Sequence, residues 1–160
     1  METSKMLESN EINSNTQNQK NIDNYIEKTE NKSENWYIEI PAISLKATIQ
    51  EGTTKDIMDK YVGHFEETKK WIGNIGLAAH NRGYENNYFA NIKKLKKGDN
   101  IIYCYNKKTR EYVVEKQMII EDTDWTYLEE TEENTLTLIT CVENEPKYRR
   151  CIIATEKVKI

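Results

Sequence analysis

The sequence is poor in the residues that build metal sites and membrane spans. It holds two histidines, three cysteines, two phenylalanines and no apolar run of 18 residues in its 160. Without such a run nothing in it spans a membrane as a helix. The start is acidic and has no apolar core segment, so no secretory signal peptide is expected there. His64 and His80 stand sixteen residues apart and no paired-cysteine spacing occurs, which excludes a zinc set; no metal and no cofactor is expected. The acidic stretch 121–133 lacks the twelve-residue calcium pattern with its glycine and reads as a solvated face. With 23 basic and 27 acidic residues the net charge is −4, so the basic footprint of a nucleic-acid partner is missing. Three cysteines is an odd number, and at least one thiol stays outside any disulfide. No internal repeat and no alternation of strand and helix signals is visible.

Composition divides what is there into two parts. Residues 1–35 carry eight Asn, four Lys and seven Asp or Glu, and no Phe, Trp, Val, Gly, Pro or Cys. Met6, Leu7, Ile12, Ile22 and Ile26 are too sparse to cover a core, so this part reads as a disordered polar tail, with a helical turn conceivable only near Asn21 to Lys28. Residues 36–160 form one domain. Alternation marks strands at Trp36–Ile40, ended by Pro41, and at Ser44–Gln50. Thr53 to Asp56 starts a helix that carries Ile57, Met58, Tyr61 and Val62 at helical spacing, with Gly63 as its stop. Further strands are expected at Ile75–His80, Asn100–Tyr105 and Thr109–Ile120, the last two joined by a turn at Asn106 to Lys108. Tyr88 to Ile92 suits one helical turn, and Glu121–Asn134 is a long connection of the kind that is often functional. About seven or eight short strands with one or two short helices make a mostly β fold, a closed or nearly closed barrel.

Thr135 to Thr155 carries the chemistry. Two β-type runs, Thr135–Val142 and Cys151–Thr155, flank a charged loop that contains Pro146. Cys141 ends the first run, and Arg149 and Arg150 precede the second. A thiol beside a guanidinium sits in an electropositive setting that favours thiolate. Such a nucleophile needs a histidine and an oxyanion donor. His80 closes the apolar run Ile75 to Ala79, which makes Cys141, His80 and Arg150 the candidate catalytic set. Cys104 and Cys151 lie inside strand patterns and read as small buried side chains. His64 reads as a structural or rim residue. A Cys141–Cys151 disulfide is the alternative that would remove the nucleophile.

These residues resemble the sortase family. Thr137-Leu138-Ile139-Thr140-Cys141, Arg150 before an apolar strand, and Ala78-Ala79-His80-Asn81 carry the likeness, with Ile38 to Ile43, Gly52-Thr53, Val62 to Phe65 and Leu95 to Asp99 in order around them. The match runs from Trp36 to Ile160. The Ile40-Pro41-Ala42-Ile43 opening, Val62-Gly63-His64-Phe65 and His80-Asn81-Arg82-Gly83 look closest to class D sortases; class B fits less well, because Ile139 stands where that class tends to have Ser. The resemblance implies a sortase-type β-barrel and a cysteine transpeptidase acting on a Leu-Pro-X-Thr-Gly-like sorting signal. Its partners would be sorting-signal-bearing surface proteins or pilins and the amine of a peptidoglycan precursor or a lysine. Cys141 would be the nucleophile, His80 the proton donor and acceptor, and Arg150 the oxyanion donor. Arg149, facing the other way along the strand, would be a surface charge. Some sortases bind calcium, for which the acidic loop 121–133 would be the place here, and in the family the loop equivalent to 121–134 forms one wall of the groove for the sorting signal. Family members are held at the extracellular face of the cell membrane by an N-terminal anchor; no such anchor is expected within the residues given, and residues 1–35 would be the tether between membrane and enzyme. The rival reading is a non-enzymatic β-barrel that binds a peptide strand, with Cys141 merely buried.

Overall fold

The computed structural model describes residues 35–158. The polar tail expected over residues 1–35 lies, but for Asn35, outside the described residues, as does its helical turn. Among the described residues eight strands are present: β1 (Trp36–Ile40), β2 (Leu45–Glu51), β3 (Val62–His64), β4 (Asn74–Ala78), β5 (Asn100–Tyr105), β6 (Lys108–Glu121), β7 (Thr135–Val142) and β8 (Glu145–Glu156). They close into a barrel in the order β1-β2-β3-β4-β7-β8-β6-β5, with β5 returning to β1. The mostly β barrel expected from the alternation is the fold observed, with one α-helix among the described residues, α1 (Lys55–Met58), and short 3-10 turns.

Alternation along the strands separates two apolar layers. Ile38, Ile49, Leu77, Leu136, Leu138 and Ile152 meet inside the barrel with Tyr103 and Tyr112. Ile139 and Cys151 point the other way and join Phe65, Ala78, Ile120 and Leu128 in a second cluster on the barrel's outer wall. Leu128 comes from the long connection between β6 and β7, which therefore folds back over that wall.

Three expectations shift in detail. The helix stops at Met58, one turn long, and Val62 to His64 becomes β3, parallel to β2 and antiparallel to β4. Gly63 is not a helix stop: a Cβ there would lie 2.3 Å from the carbonyl oxygen of Gly52, so close backbone approach demands glycine. The β5–β6 turn is two residues, Asn106 and Lys107, both at positive φ (54° and 68°), the handedness that matches strand twist. At the other hairpin, β7 and β8 continue to Val142 and Glu145, so the charged segment around Pro146 is strand rather than loop. Residues 146–148 form a bulge with no partner on β7, which is where a proline without an N–H is tolerated.

β4 and β7 run parallel as neighbours, with Ala78 beside Ile139. The residues just beyond, His80 on one and Cys141 on the other, thus leave the barrel at the same end. The Thr140 hydroxyl, buried, donates to the Ala79 carbonyl at 2.7 Å and locks the two strand ends together.

Candidate active site

The long β6–β7 connection and the outer barrel wall enclose a groove of about 290 Å³. Ala78, Ile120 and Ile139 form its floor, Trp125, Tyr127 and Leu128 one wall, and Met58 of α1 the opposite one. His80, Cys141 and Arg149 stand together on its lining. Cys141 is exposed, while Cys104 and Cys151 are buried and no disulfide joins any of the three. Burial pushes the Cys151 thiol up to about 12 and raises that of Cys104. Both stay protonated near neutral pH, and the Cys141–Cys151 bond raised as an alternative is not formed. Cys151 sits opposite Ile139, and Cys141 opposite Arg149.

Both arginines stand near Cys141, Arg149 in the groove and Arg150 in an adjoining cleft, on different faces of β8. Directly opposed residues in an antiparallel pair project to the same face. Arg149 therefore shares the face of Cys141, and Arg150 that of Thr140. The Arg150 guanidinium donates to the Gln117 side-chain oxygen, whose amide in turn donates to the Leu95 carbonyl at 3.0 Å and the Lys93 carbonyl at 3.2 Å. Arg150 is thus held in a bridge beside a second cleft, which it lines together with Asn81, Thr140 and Cys141. Arg149 uses Nη1 to donate to its own strand, to the Pro146 and Tyr148 carbonyls at 2.9 and 2.8 Å. Arginine has five N–H donors, so the fork keeps further donors for a ligand in the groove.

Four side chains support the set. Asn81 Nδ2 donates to the Cys141 carbonyl at 2.8 Å, and Arg82 Nη2 to Asn144 Oδ1 at 2.6 Å, so the segment after His80 grips the β7–β8 turn. His80, buried, has its Nε2 3.3 Å from Asp59 Oδ1 and its ring stacked on Tyr84 with centroids 3.7 Å apart. Sequence reading did not single out Asn81, Tyr84, Asp59 or Arg149 for these roles. Counting back from a two-residue turn would set Pro146 opposite Cys141 and give Arg150 the Cys141 face, and only the unpaired residues 146–148 bring Arg149 there; Asp59 lies twenty-one residues from His80 with no motif to link them. His64 is buried away from the groove, bonded to Glu51 at 3.1 Å and to the Lys69 carbonyl at 2.7 Å, a structural placement. Among the described residues no group of three or more His, Cys, Asp or Glu is arranged to hold a metal ion.

Asn74, buried at the start of β4, ties the groove wall down. Its Nδ2 donates to the Tyr127 and Glu129 carbonyls at 2.9 and 2.8 Å, and its Oδ1 accepts from Thr137 at 2.8 Å. The Asn74 backbone N–H donates to Glu130 at 3.1 Å and holds that carboxyl below the usual carboxylate range. Asn74→Ala leaves three polar groups without their partner. It should cost about 2–3 kcal/mol in urea unfolding, and the loosened wall should raise KM for a groove-binding peptide more than it lowers kcat.

An eight-stranded closed barrel with an exposed thiol, a histidine and an arginine converging on one groove defines a class of β-barrel with a thiol at its mouth. The sortase-domain profile matches residues 38–158. Sortase A of Bacillus anthracis is 30% identical over 122 residues, 76% of this chain and 58% of that protein. Sortase D of Bacillus subtilis is 33% identical over 130 residues, 76% of this chain and 62% of that protein. A solved Clostridium perfringens Sortase D5 transpeptidase superposes with a TM-score of 0.69 at 30% identity, covering 77% of this chain and 78% of its own. A pilus-related Sortase C of Group B Streptococcus does so at 0.72 and 26%, over 77% of this chain and 66% of its own. The chain belongs to the sortase family. It spans less than two thirds of the length of the two curated relatives.

Proposed function

We propose that this chain is a cysteine transpeptidase of the class D type, cleaving a Leu-Pro-X-Thr-Gly-like sorting signal bound in the groove beneath Trp125. The observation that carries the reading is the convergence of Cys141, His80 and Arg149 on one groove lining, with the two other thiols buried. The Cys141 thiolate attacks the Thr carbonyl carbon, and a tetrahedral oxyanion forms. Arg149, on the Cys141 face, donates to that oxygen; a planar, always-charged fork suits the role. The C–N bond to Gly then breaks, His80 gives its proton to the leaving amine, and a thioester to Cys141 remains. An incoming amine attacks the thioester, His80 takes its proton, and the thiolate leaves as the new amide forms. The acceptor is a peptidoglycan-precursor amine or a pilin lysine, and the donor a surface protein or pilin that bears the signal.

The relatives' class supports action at the extracellular face of the cell membrane. Among the described residues no helix is long and apolar enough to cross a membrane. The peptide-binding alternative predicts capture without bond cleavage. Mass spectrometry of the protein mixed with sorting-signal peptides and hydroxylamine separates the two. The expected product is a Thr hydroxamate with release of a Gly-led fragment, and intact peptide throughout would overturn the enzyme reading.

A further inference from the structure

The ring of His80 is held from two directions by groups outside the catalytic set. Tyr84 stacks on it with an interplanar angle of 12°. Asp59, at the end of α1, places Oδ1 against Nε2, while its Oδ2 accepts from Lys55 Nζ at 2.9 Å. The two carboxylate oxygens are thus divided between two partners. The clamp is itself braced: Asn86 Nδ2 donates to the Asp59 carbonyl at 2.8 Å, Asn87 Nδ2 to the Tyr84 carbonyl at 2.6 Å, and the Tyr88 hydroxyl to the Lys60 carbonyl at 3.1 Å. The loop after His80 is therefore lashed to the turn that follows α1. Nδ1 of His80 has no hydrogen-bond partner among the described residues.

We propose that Asp59 is the positioning residue for His80, its carboxylate holding the ring proton on Nε2 and leaving Nδ1 to exchange protons in the groove. An ionised carboxylate has no proton to donate and can only accept, so a hydrogen bond to it requires the proton on nitrogen. The Lys55 ammonium, as hydrogen-bond partner, holds the Asp59 carboxyl below the usual range and keeps it ionised at working pH. Fixing one tautomer means the nitrogen facing the leaving amine is the same in every molecule. The stacked Tyr84 ring keeps the imidazole plane from swinging away, and 180° rotation of the ring would break the Asp59 contact. When His80 is protonated, the same carboxylate faces the imidazolium and offsets its burial.

The inference rests on the transpeptidase reading for its kinetic consequence, but its tautomer consequence can be read without activity. The first experiment is a long-range ¹H–¹⁵N spectrum of the full chain with labelled histidine, taken where the ring is neutral; His80→Gln identifies the His80 signals. The expected wild-type pattern is an N–H at Nε2 and a bare Nδ1, giving way in Asp59→Asn to a mixture of tautomers. A proton on Nδ1 in the wild type overturns the proposal, whatever the variants do. The second experiment is steady-state cleavage of a sorting-signal peptide. Asp59→Asn should lower kcat roughly 10–100-fold, the loss typical of removing a carboxylate that orients a working histidine, with KM within about twofold. Asp59→Glu should recover part of it, and Lys55→Met, which leaves Oδ1 on His80, should cost less than about threefold. Wild-type kcat and tautomer in Asp59→Asn would refute the positioning role. Absence of cleavage by the wild type would refute the transpeptidase reading alone, since the spectra still decide the Asp59 contact. Should Asp59→Asn fold poorly, the wild-type spectrum decides.

Discussion

Cys141→Ala is expected to abolish cleavage of a sorting-signal peptide, a loss of more than roughly 10⁴-fold, because no other side chain can form the covalent intermediate. Cys104→Ala and Cys151→Ala should retain most of the activity. The three thiols differ in access and in charge state. Cys141 is exposed at the groove, whereas the burial that raises the other two thiols keeps them both protonated and out of reach. Attack by a thiol reagent needs thiolate and access together. Iodoacetamide at neutral pH should therefore label Cys141 first in the native protein, and labelling should be blocked by a bound peptide. Cys151→Ala removes a buried sulfur from the outer-wall cluster, so its cost should appear in unfolding rather than in turnover. Turnover surviving in Cys141→Ala, with Cys104 or Cys151 labelled in its place, would move the nucleophile elsewhere.

Arg149→Ala is expected to lose roughly 10²–10³-fold in kcat, the usual effect of deleting one oxyanion donor. Arg150→Ala should stay within several-fold while losing about 1–2 kcal/mol of stability, because its guanidinium bridges to Gln117 and through it to the 93–95 backbone. Arg149→Lys keeps the charge and loses the fork, so it should regain only part of the rate if a directed hydrogen bond matters. The measurements are kcat and KM for amine-dependent cleavage of a quenched peptide, beside urea unfolding of each variant. The reverse outcome, a dead Arg150→Ala and a lively Arg149→Ala, would assign the oxyanion role to Arg150, acting from the cleft it lines with Cys141.

The sequence by itself determined the fold class, because its evidence is local. Leu136, Leu138 and their threonine neighbours alternate with period two, and so do Trp36, Ile38 and Ile40; such patterns admit strands with one buried face. It also singled out Cys141 and His80, each closing an apolar run at a point where a strand must leave the core. What it could not carry was anything that depends on which residue lies opposite which. Arg149 and Arg150 are chemically identical neighbours, and only the register across the Glu143–Asn144 turn, with its bulge at residues 146–148, decides which one shares the Cys141 face. The reading that treated residues 143–150 as loop had no register to count from. Gly63 looked like a helix stop because the helical spacing continued through Val62, yet the close approach of Gly52 and the pairing of β3 with two neighbours won over one more helical turn. Asp59 and Tyr84 reach His80 only because the α1 turn and the loop after β4 are tied together by side-chain bonds to backbone carbonyls. Periodicity follows from each residue's own preference and is written in the chain. Facing and contact follow from long-range pairing, which exists only once the barrel has closed.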